Sequence, residues 1–177
     1  SKREQGQGDY MSTALEISSK DLYRYLATLK NREIVIDAEN ALLGRLASNV
    51  AKLLLMGFKV HVINIEKALV SGDRKMVIES YKLLLNVRTH RNPYRHSMKR
   101  PRNPIAIFKS SVKRMLPKHN WRGVTILKNV KAYIGTPKEF DGRERIKIAD
   151  IDAENLKRRT VVRVSEIAEA LGWRQTP

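Results

Sequence analysis

The sequence predicts an α/β domain: a small, mostly parallel sheet with helices on both faces and a basic loop-and-helix lobe built into it. Three observations predict it. Two short apolar strands flank one amphipathic helix, and so tight a strand–helix–strand unit makes a parallel pair. Apolar residues make up 42% of the 177, but aromatics only 6%, so the core must be Leu, Ile, Val and Ala. The net charge of +17 is gathered into one stretch rather than spread over the surface.

Residues 1–18 are rich in Gly, Gln and Ser, a composition that predicts disorder. Ser19 is placed to cap a helix over 19–30, with Asp21 in its first turn and Leu22, Leu26 and Leu29 on one face. Glu33–Asp37 (EIVID) is a short buried strand. Asp37 or Asn40 then caps a helix that runs to 56. Leu43, Leu46, Ala47, Val50 and Leu54 form its apolar stripe, and Arg45, Asn49 and Lys52 face outward. Gly57 ends it, and residues 58–64 (FKVHVIN) make the second strand. Residues 67–70 suit a third short strand.

Ser71-Gly72-Asp73 turns into a helix to about 86, with Met76, Val77, Tyr81 and Leu84 inward. Pro93 and Pro101, with Pro104 close behind, predict an extended loop over 87–103. Pro104 starts a helix to 115 and Pro117 breaks it. A helix over 122–130 and a strand over 131–134 (KAYI) follow, the strand closed by Gly135-Thr136-Pro137. Residues 138–160 are charged and poorly periodic. Ser165 is placed to cap a last helix to 171, with Gly172 at the C′ position. The expected division is an extension over 1–18, a helix over 19–32, an α/β body over 33–140 and a C-terminal extension over 141–177.

Residues 87–131 hold 13 Lys and Arg and no acid, and no acid occurs between Glu79 and Glu139. Such a charge opposes compaction unless a polyanion neutralises it, and nucleic acid is the usual polyanion. A merely solvated face would interleave Glu among its cations. The chain has no Cys, which excludes disulfides, thiolate metal sites and a Cys nucleophile. Its purely apolar runs reach only four residues, as at Leu53 to Met56, against ~20 for a bilayer span. No membrane partner is therefore expected. Ser1 to Tyr10 is polar with no apolar stretch behind it, so no signal peptide is expected and a cytoplasmic location is.

Enzyme signatures are scarce. No GxGxxG follows a strand and no GxxxxGK[ST] occurs. Ser71-Gly72-Asp73-Arg74 could aim helix N–H groups at a phosphate, but the same residues make a good turn and cap, the favoured reading. His61 alternates with Val60 and Val62 as a strand residue, and His90 and His96 sit among Arg, a poor place for a metal. No catalytic residue, metal, cofactor or small-molecule substrate is expected.

The basic stretch supports RNA binding in detail. Arg88, Arg91, Arg95, Lys99, Arg100 and Arg102 lie in the loop, and the planar guanidinium suits bidentate phosphate contacts. Tyr94, His90 and His96 are interleaved and can stack on unpaired bases. On the helix after Pro104, Lys109 and Lys113 share one face, while Ile105, Phe108, Val112 and Met115 share the other. Residues 117–123 bring Lys118, His119, Trp121 and Arg122 together. Trp121 is either a core anchor or a platform for a base. Gly123 either lets backbone approach RNA or allows the turn. Arg122 falls in the first turn of the next helix, where a cation opposes the helix dipole and an external anion would compensate it.

Four blocks of residues carry a resemblance. Ile36-Asp37-Ala38-Glu39-Asn40 with Leu43-Gly44-Arg45-Leu46-Ala47-Ser48 comes first, then Val62-Ile63-Asn64-Ile65-Glu66 with Val70-Ser71-Gly72-Asp73. Asn92-Pro93, Met115-Leu116-Pro117 and Arg122-Gly123 form the third, and Tyr133-Ile134-Gly135-Thr136-Pro137 the fourth. In that order, over residues 33–140, they resemble the universal large-subunit ribosomal protein family thirteen, and both extensions are similar to its archaeal and eukaryotic branch. One departure is Arg114, where the family commonly has Gly. The resemblance implies a three-layer α/β/α fold and a non-enzymatic role in binding large-subunit rRNA, with neighbouring large-subunit ribosomal proteins as partners. Arg45 and Arg114 join the expected RNA contacts. The competing readings are an RNA-modifying or nucleotide-using enzyme on the same kind of sheet, and a free regulatory RNA-binding protein.

Overall fold

The computed structural model describes residues 14–29, 31–95, 100–157 and 160–174. Its main sheet has five strands, β1 (Ala14–Ile17), β2 (Glu33–Asp37), β3 (Lys59–Ile63), β5 (Val130–Ala132) and β6 (Arg145–Ile148), in the order β1-β6-β2-β3-β5. Every pairing in it is parallel; β2 and β3 run in register from Glu33 against Lys59 to Asp37 against Ile63. The expected βαβ unit is closed by α2 (Leu43–Leu55). A second, antiparallel pair joins β4 (Leu69–Ser71) to β7 (Val161–Arg163). The strand expected at 67–70 begins two residues later, after a 3-10 turn over Ile65–Lys67, and lies outside the parallel sheet.

Strand alternation sorts the core. Ile34 and Ile36 of β2, Val60 and Val62 of β3, and Ile146 and Ile148 of β6 point into one large apolar cluster. Leu46, Val50, Leu53 and Leu54 of α2 fill it, with Leu22 and Leu26 of α1 (Ser19–Thr28). So do Ile107, Phe108 and Val112 of α4 (Pro104–Met115) and Val164, Ile167 and Ala168 of α6 (Val164–Ala170). Val35 and Ile63 face the other way, where the layer is thin: Phe140 from the 3-10 turn Lys138–Phe140, and Tyr133. His61 is a strand residue on that side, held by the Glu33 carboxylate at 2.8 Å and the Tyr133 hydroxyl at 3.2 Å.

Several local expectations shift. Of the disorder expected over 1–18, residues 1–13 lie outside the described residues, and Ala14–Ile17 form β1, which pairs with β6. Within 141–177, the expected C-terminal extension, β6 lies inside the sheet, between β1 and β2. Ser18, not Ser19, caps α1 by accepting from the Asp21 N–H, while Ser19 bonds the Asp150 carboxylate. Neither Asp37 nor Asn40 caps α2, which starts after Leu42 without a side-chain cap. The Asp37 carboxylate instead accepts from the Glu39 N–H and the Asn64 amide, both at 3.0 Å. Asn49 is buried, not outward, because its amide spans the Tyr23 hydroxyl and the Arg45 carbonyl.

Helix α3 (Arg74–Asn86) is capped by Asp73, which accepts from the Met76 N–H. Val77 and Tyr81 pack on the core as expected, but Met76 is 71% exposed, and Leu84's side chain lies outside what is described. Met115 also turns out of the α4 stripe. The helix expected over 122–130 is a shorter α5 (Trp121–Ile126) followed by the 3-10 turn Leu127–Asn129. Strand β5 ends at Ala132, two residues before the expected end, and α6 begins at Val164 without Ser165 as a cap. Gly172 does close α6 with φ at +97°. No helix among the described residues is long and apolar enough to cross a membrane.

Candidate nucleic-acid interface

The acid-free stretch folds around α4. Asn103 accepts from the Ala106 N–H at 2.6 Å and Pro104 opens the helix, so the loop is stopped at a defined residue. The buried Ile107, Phe108 and Val112 fix its rotation. Lys109 is thereby left half-buried, and Lys113 and Arg114 are exposed in the last turn, where cations complement the helix dipole. Upstream, the Asn92 side-chain oxygen accepts from the N–H groups of Tyr94 and Arg95 at 3.2 and 3.0 Å. That local turn throws Tyr94 outward, 89% exposed, next to an exposed Arg95. Arg88, Arg91 and Arg102 are exposed as well, while Lys99 and His96 lie outside the described residues. Arg100 sits over the Tyr81 ring at 5.8 Å. Burial raises the Tyr81 hydroxyl above its usual pKa, and the nearby positive charges of Arg100 and Arg114 partly oppose that.

Residues 117–123 form a compact corner. Gly123 is buried, and a Cβ there would collide with the Pro117 carbonyl. The close approach that requires this glycine is thus within the chain, which decides between the two readings of Gly123. Trp121 is 80% exposed and so is no core anchor. Lys118 and His119 are exposed. Arg122 has an internal partner: its guanidinium donates to the Leu55 carbonyl at 3.5 Å, at the negative end of α2. That contact uses one donor of an exposed guanidinium, whose fork carries five.

Arg45 and Arg114, far apart in sequence, line one cleft between the first turn of α2, the last turn of α4 and β4. Arg122 lies by the other end of α2, about 20 Å along a helix of this length. Every ion pair among the described residues lies outside 87–131. Sequence reasoning does not single out Lys128 and Lys131, both exposed cations of the same stretch, or Ser111 in the cleft, and it reads the cleft's Ser71 as part of a turn. Their grouping depends on how α2, α4 and β4 meet, which no local pattern encodes.

In a parallel sheet the crevice beyond the strand C-termini is the usual ligand site. Here it is tied off from within. The Asn64 amide donates to Asp37, its oxygen accepts from the Thr136 hydroxyl at 3.4 Å, and the buried Glu66 carboxylate accepts from the Gly135 N–H at 3.0 Å. These residues belong to the blocks that carry the resemblance, so the blocks encode a clasp between β3 and the segment after β5. Among the described residues no group of three or more His, Asp or Glu is placed to hold a metal.

Comparison with known proteins agrees with this picture. The family model described as Ribosomal protein L13 matches residues 31–139. The chain is similar to the large ribosomal subunit protein uL13 of Saccharolobus solfataricus, 50% identical over 145 residues, covering 82% of this chain and 96% of the relative. The Aeropyrum pernix protein of the same name is 43% identical over 150 residues, covering 84% and 96%. That of Methanococcoides burtonii is 35% identical over 139 residues, covering 78% and 96%.

Proposed function

The chain belongs to the ribosomal protein L13 family, in its archaeal and eukaryotic branch, and from that premise we propose that it binds and stabilises large-subunit rRNA as a structural, non-catalytic constituent of the large ribosomal subunit. Its partners are then large-subunit rRNA and neighbouring ribosomal proteins, and its place is the large subunit in the cytoplasm. One observation carries the reading most directly: 13 cations and no acid in 87–131, with no carboxylate paired to any of them among the described residues. Outside that stretch 22 Lys and Arg stand against 18 acids, so most of the excess positive charge lies in 87–131 and calls for an external polyanion.

The roles follow from chemistry and exposure. Arg88, Arg91, Arg95, Lys99, Arg100, Arg102, Lys109, Lys113, Lys118 and Arg122 hold phosphates, which position the protein. Arg45 and Arg114 act at the cleft. Tyr94, Trp121 and His119 stack on or hydrogen-bond to unpaired bases, the mode by which single-stranded RNA is read. All of them fall within 33–140.

Salt dependence tests the reading. With six to eight phosphates neutralised, log K for isolated rRNA fragments falls with log salt at a slope of roughly −5 to −7. Replacing Arg91, Arg95 and Arg100 with Ala makes the slope shallower by about two to three. A wild-type slope shallower than about −2 would remove the stretch from the binding surface.

A further inference from the structure

The cleft that Arg45 and Arg114 share measures about 440 Å³. Leu42, Leu69 and Met115 contribute apolar walls, and Ser71 and Ser111 add hydroxyls. The Ser111 hydroxyl donates to the Ile107 carbonyl at 3.1 Å, which leaves its oxygen lone pairs to accept from a ligand. No carboxylate lines the cleft. Three other hollows of the molecule do contain carboxylates: Glu33 and Glu144 in one, Glu154 and Glu166 in another, Asp73 and Glu79 in the third. Of these four hollows, only this one joins apolar walls to a purely cationic rim.

A bare phosphate has no use for leucine walls, and an aliphatic side chain has no use for two guanidinium groups. An unpaired nucleotide uses both, since its base has an apolar face and polar edge while its flanking phosphates are anionic. The arginines come from separate helices, so they can take phosphates on either side of one base. Met115 is 44% exposed although it ends a helix whose inner face is buried, and a thioether is a soft, polarisable contact for an aromatic ring. We infer that this cleft receives a single unpaired nucleotide of the bound RNA, its base against Leu42, Leu69 and Met115 and its phosphates on Arg45 and Arg114. The inference rests on the rRNA-binding reading and adds to it a site that reads a base.

Gly44 provides the handle. It lies at the cleft, and a Cβ built on it meets nothing within 4 Å, so a larger side chain can stand at the cleft's edge without displacing backbone. The full chain is titrated, with amide resonances followed by NMR, against single-stranded hexaribonucleotides of each base, an RNA duplex, inorganic phosphate and a hexaglutamate peptide. At least one hexamer should shift the amides of residues 42–45, 69–71 and 111–115 more than any of the other three probes. Gly44→Leu should lose about tenfold in hexamer affinity relative to duplex affinity. The wild-type shift map stands alone if that variant folds poorly. Equal shifts from duplex or phosphate would make the cleft a backbone site only, and equal shifts from hexaglutamate would make it a site for acidic peptide; either overturns the inference. No hexamer shift in the cleft overturns it too. If the wild type still binds rRNA with the steep salt slope, only the nucleotide pocket has failed; if that slope is absent, the rRNA reading itself has.

Discussion

The body of the protein and its basic lobe treat charge in opposite ways. In the body, Lys67 meets Glu39 at 3.1 Å, Arg74 meets Glu166 at 3.0 Å and Lys147 meets Asp152 at 3.5 Å. Among the described residues of 87–131, Arg122 meets a backbone carbonyl, Arg100 an aromatic ring, and no cation an acid. Both regions share one apolar cluster through Ile107, Phe108 and Val112, so they are a single folding unit with two electrostatic policies. The difference teaches that the lobe is anchored chiefly by its apolar face, with the Arg122–Leu55 contact and Arg100 over Tyr81 beside it. No ion pair ties its charged face to the fold among the described residues.

The sharpest way to break that comparison is to damage the shared core. Leu46 is fully buried in α2, and Leu46→Ala should cost about 2–5 kcal/mol in urea unfolding through the cavity left behind. RNA affinity per folded molecule should not change. If affinity falls while the protein remains folded, core and charged face are coupled and the division fails.

A smaller effect probes whether any part of the lobe serves the fold beyond its apolar stripe. Gly123→Ala should cost about 1–3 kcal/mol, because the new methyl group meets the Pro117 carbonyl and the corner must open. Thermal unfolding that matched wild type would show the corner to be plastic.

The smallest effect lies in the body's imperfect pairing. One oxygen of Asp152 is buried without a hydrogen-bond partner, and burial raises its carboxyl pKa above the usual range despite Lys147 nearby. A raised folded pKa means the folded state prefers the protonated acid. Its ionised form therefore costs stability at neutral pH, and the cost is relieved as pH falls through the folded value toward the unfolded one. Asp152→Asn should raise Tm by roughly 1–2 °C at pH 7, with the gain over wild type shrinking on acidification. A gain that held constant with pH would assign it to packing rather than charge.

Long periodic elements were legible in the sequence, and short or remotely satisfied ones were not. Helix α4 starts and stops where its two prolines place it, since Pro104 and Pro117 act on their own neighbours. Strand β6 reads Arg-Ile-Lys-Ile, four residues in a charged region; only Ile146 and Ile148, buried in alternation, betray it. Strand β7 is three residues long and takes its meaning from pairing with β4. Asn49 looked like an outward polar residue because the Tyr23 hydroxyl that satisfies it comes from another helix. At the site, the cations were visible one by one as charge without acid, whereas the meeting of Arg45 with Arg114 is a product of tertiary packing.

The position of β6 also sets the order in which the protein can be made. Strand β1 pairs with β6 alone in the sheet, Ala14 against Arg145 through Ile17 against Ile148. A growing chain therefore carries β1 without its neighbour, and β2 with an open flank, until residue 148 has been synthesised. The whole cationic lobe emerges during that interval, before the sheet beneath it can close. Contacts so distant in sequence form slowly, and an open strand flank is prone to pair with other chains. The newborn protein thus passes through a stage in which a sticky edge and a surplus of positive charge are exposed together. Binding its polyanion early would shield the charge through that stage, while the edge waits for β6.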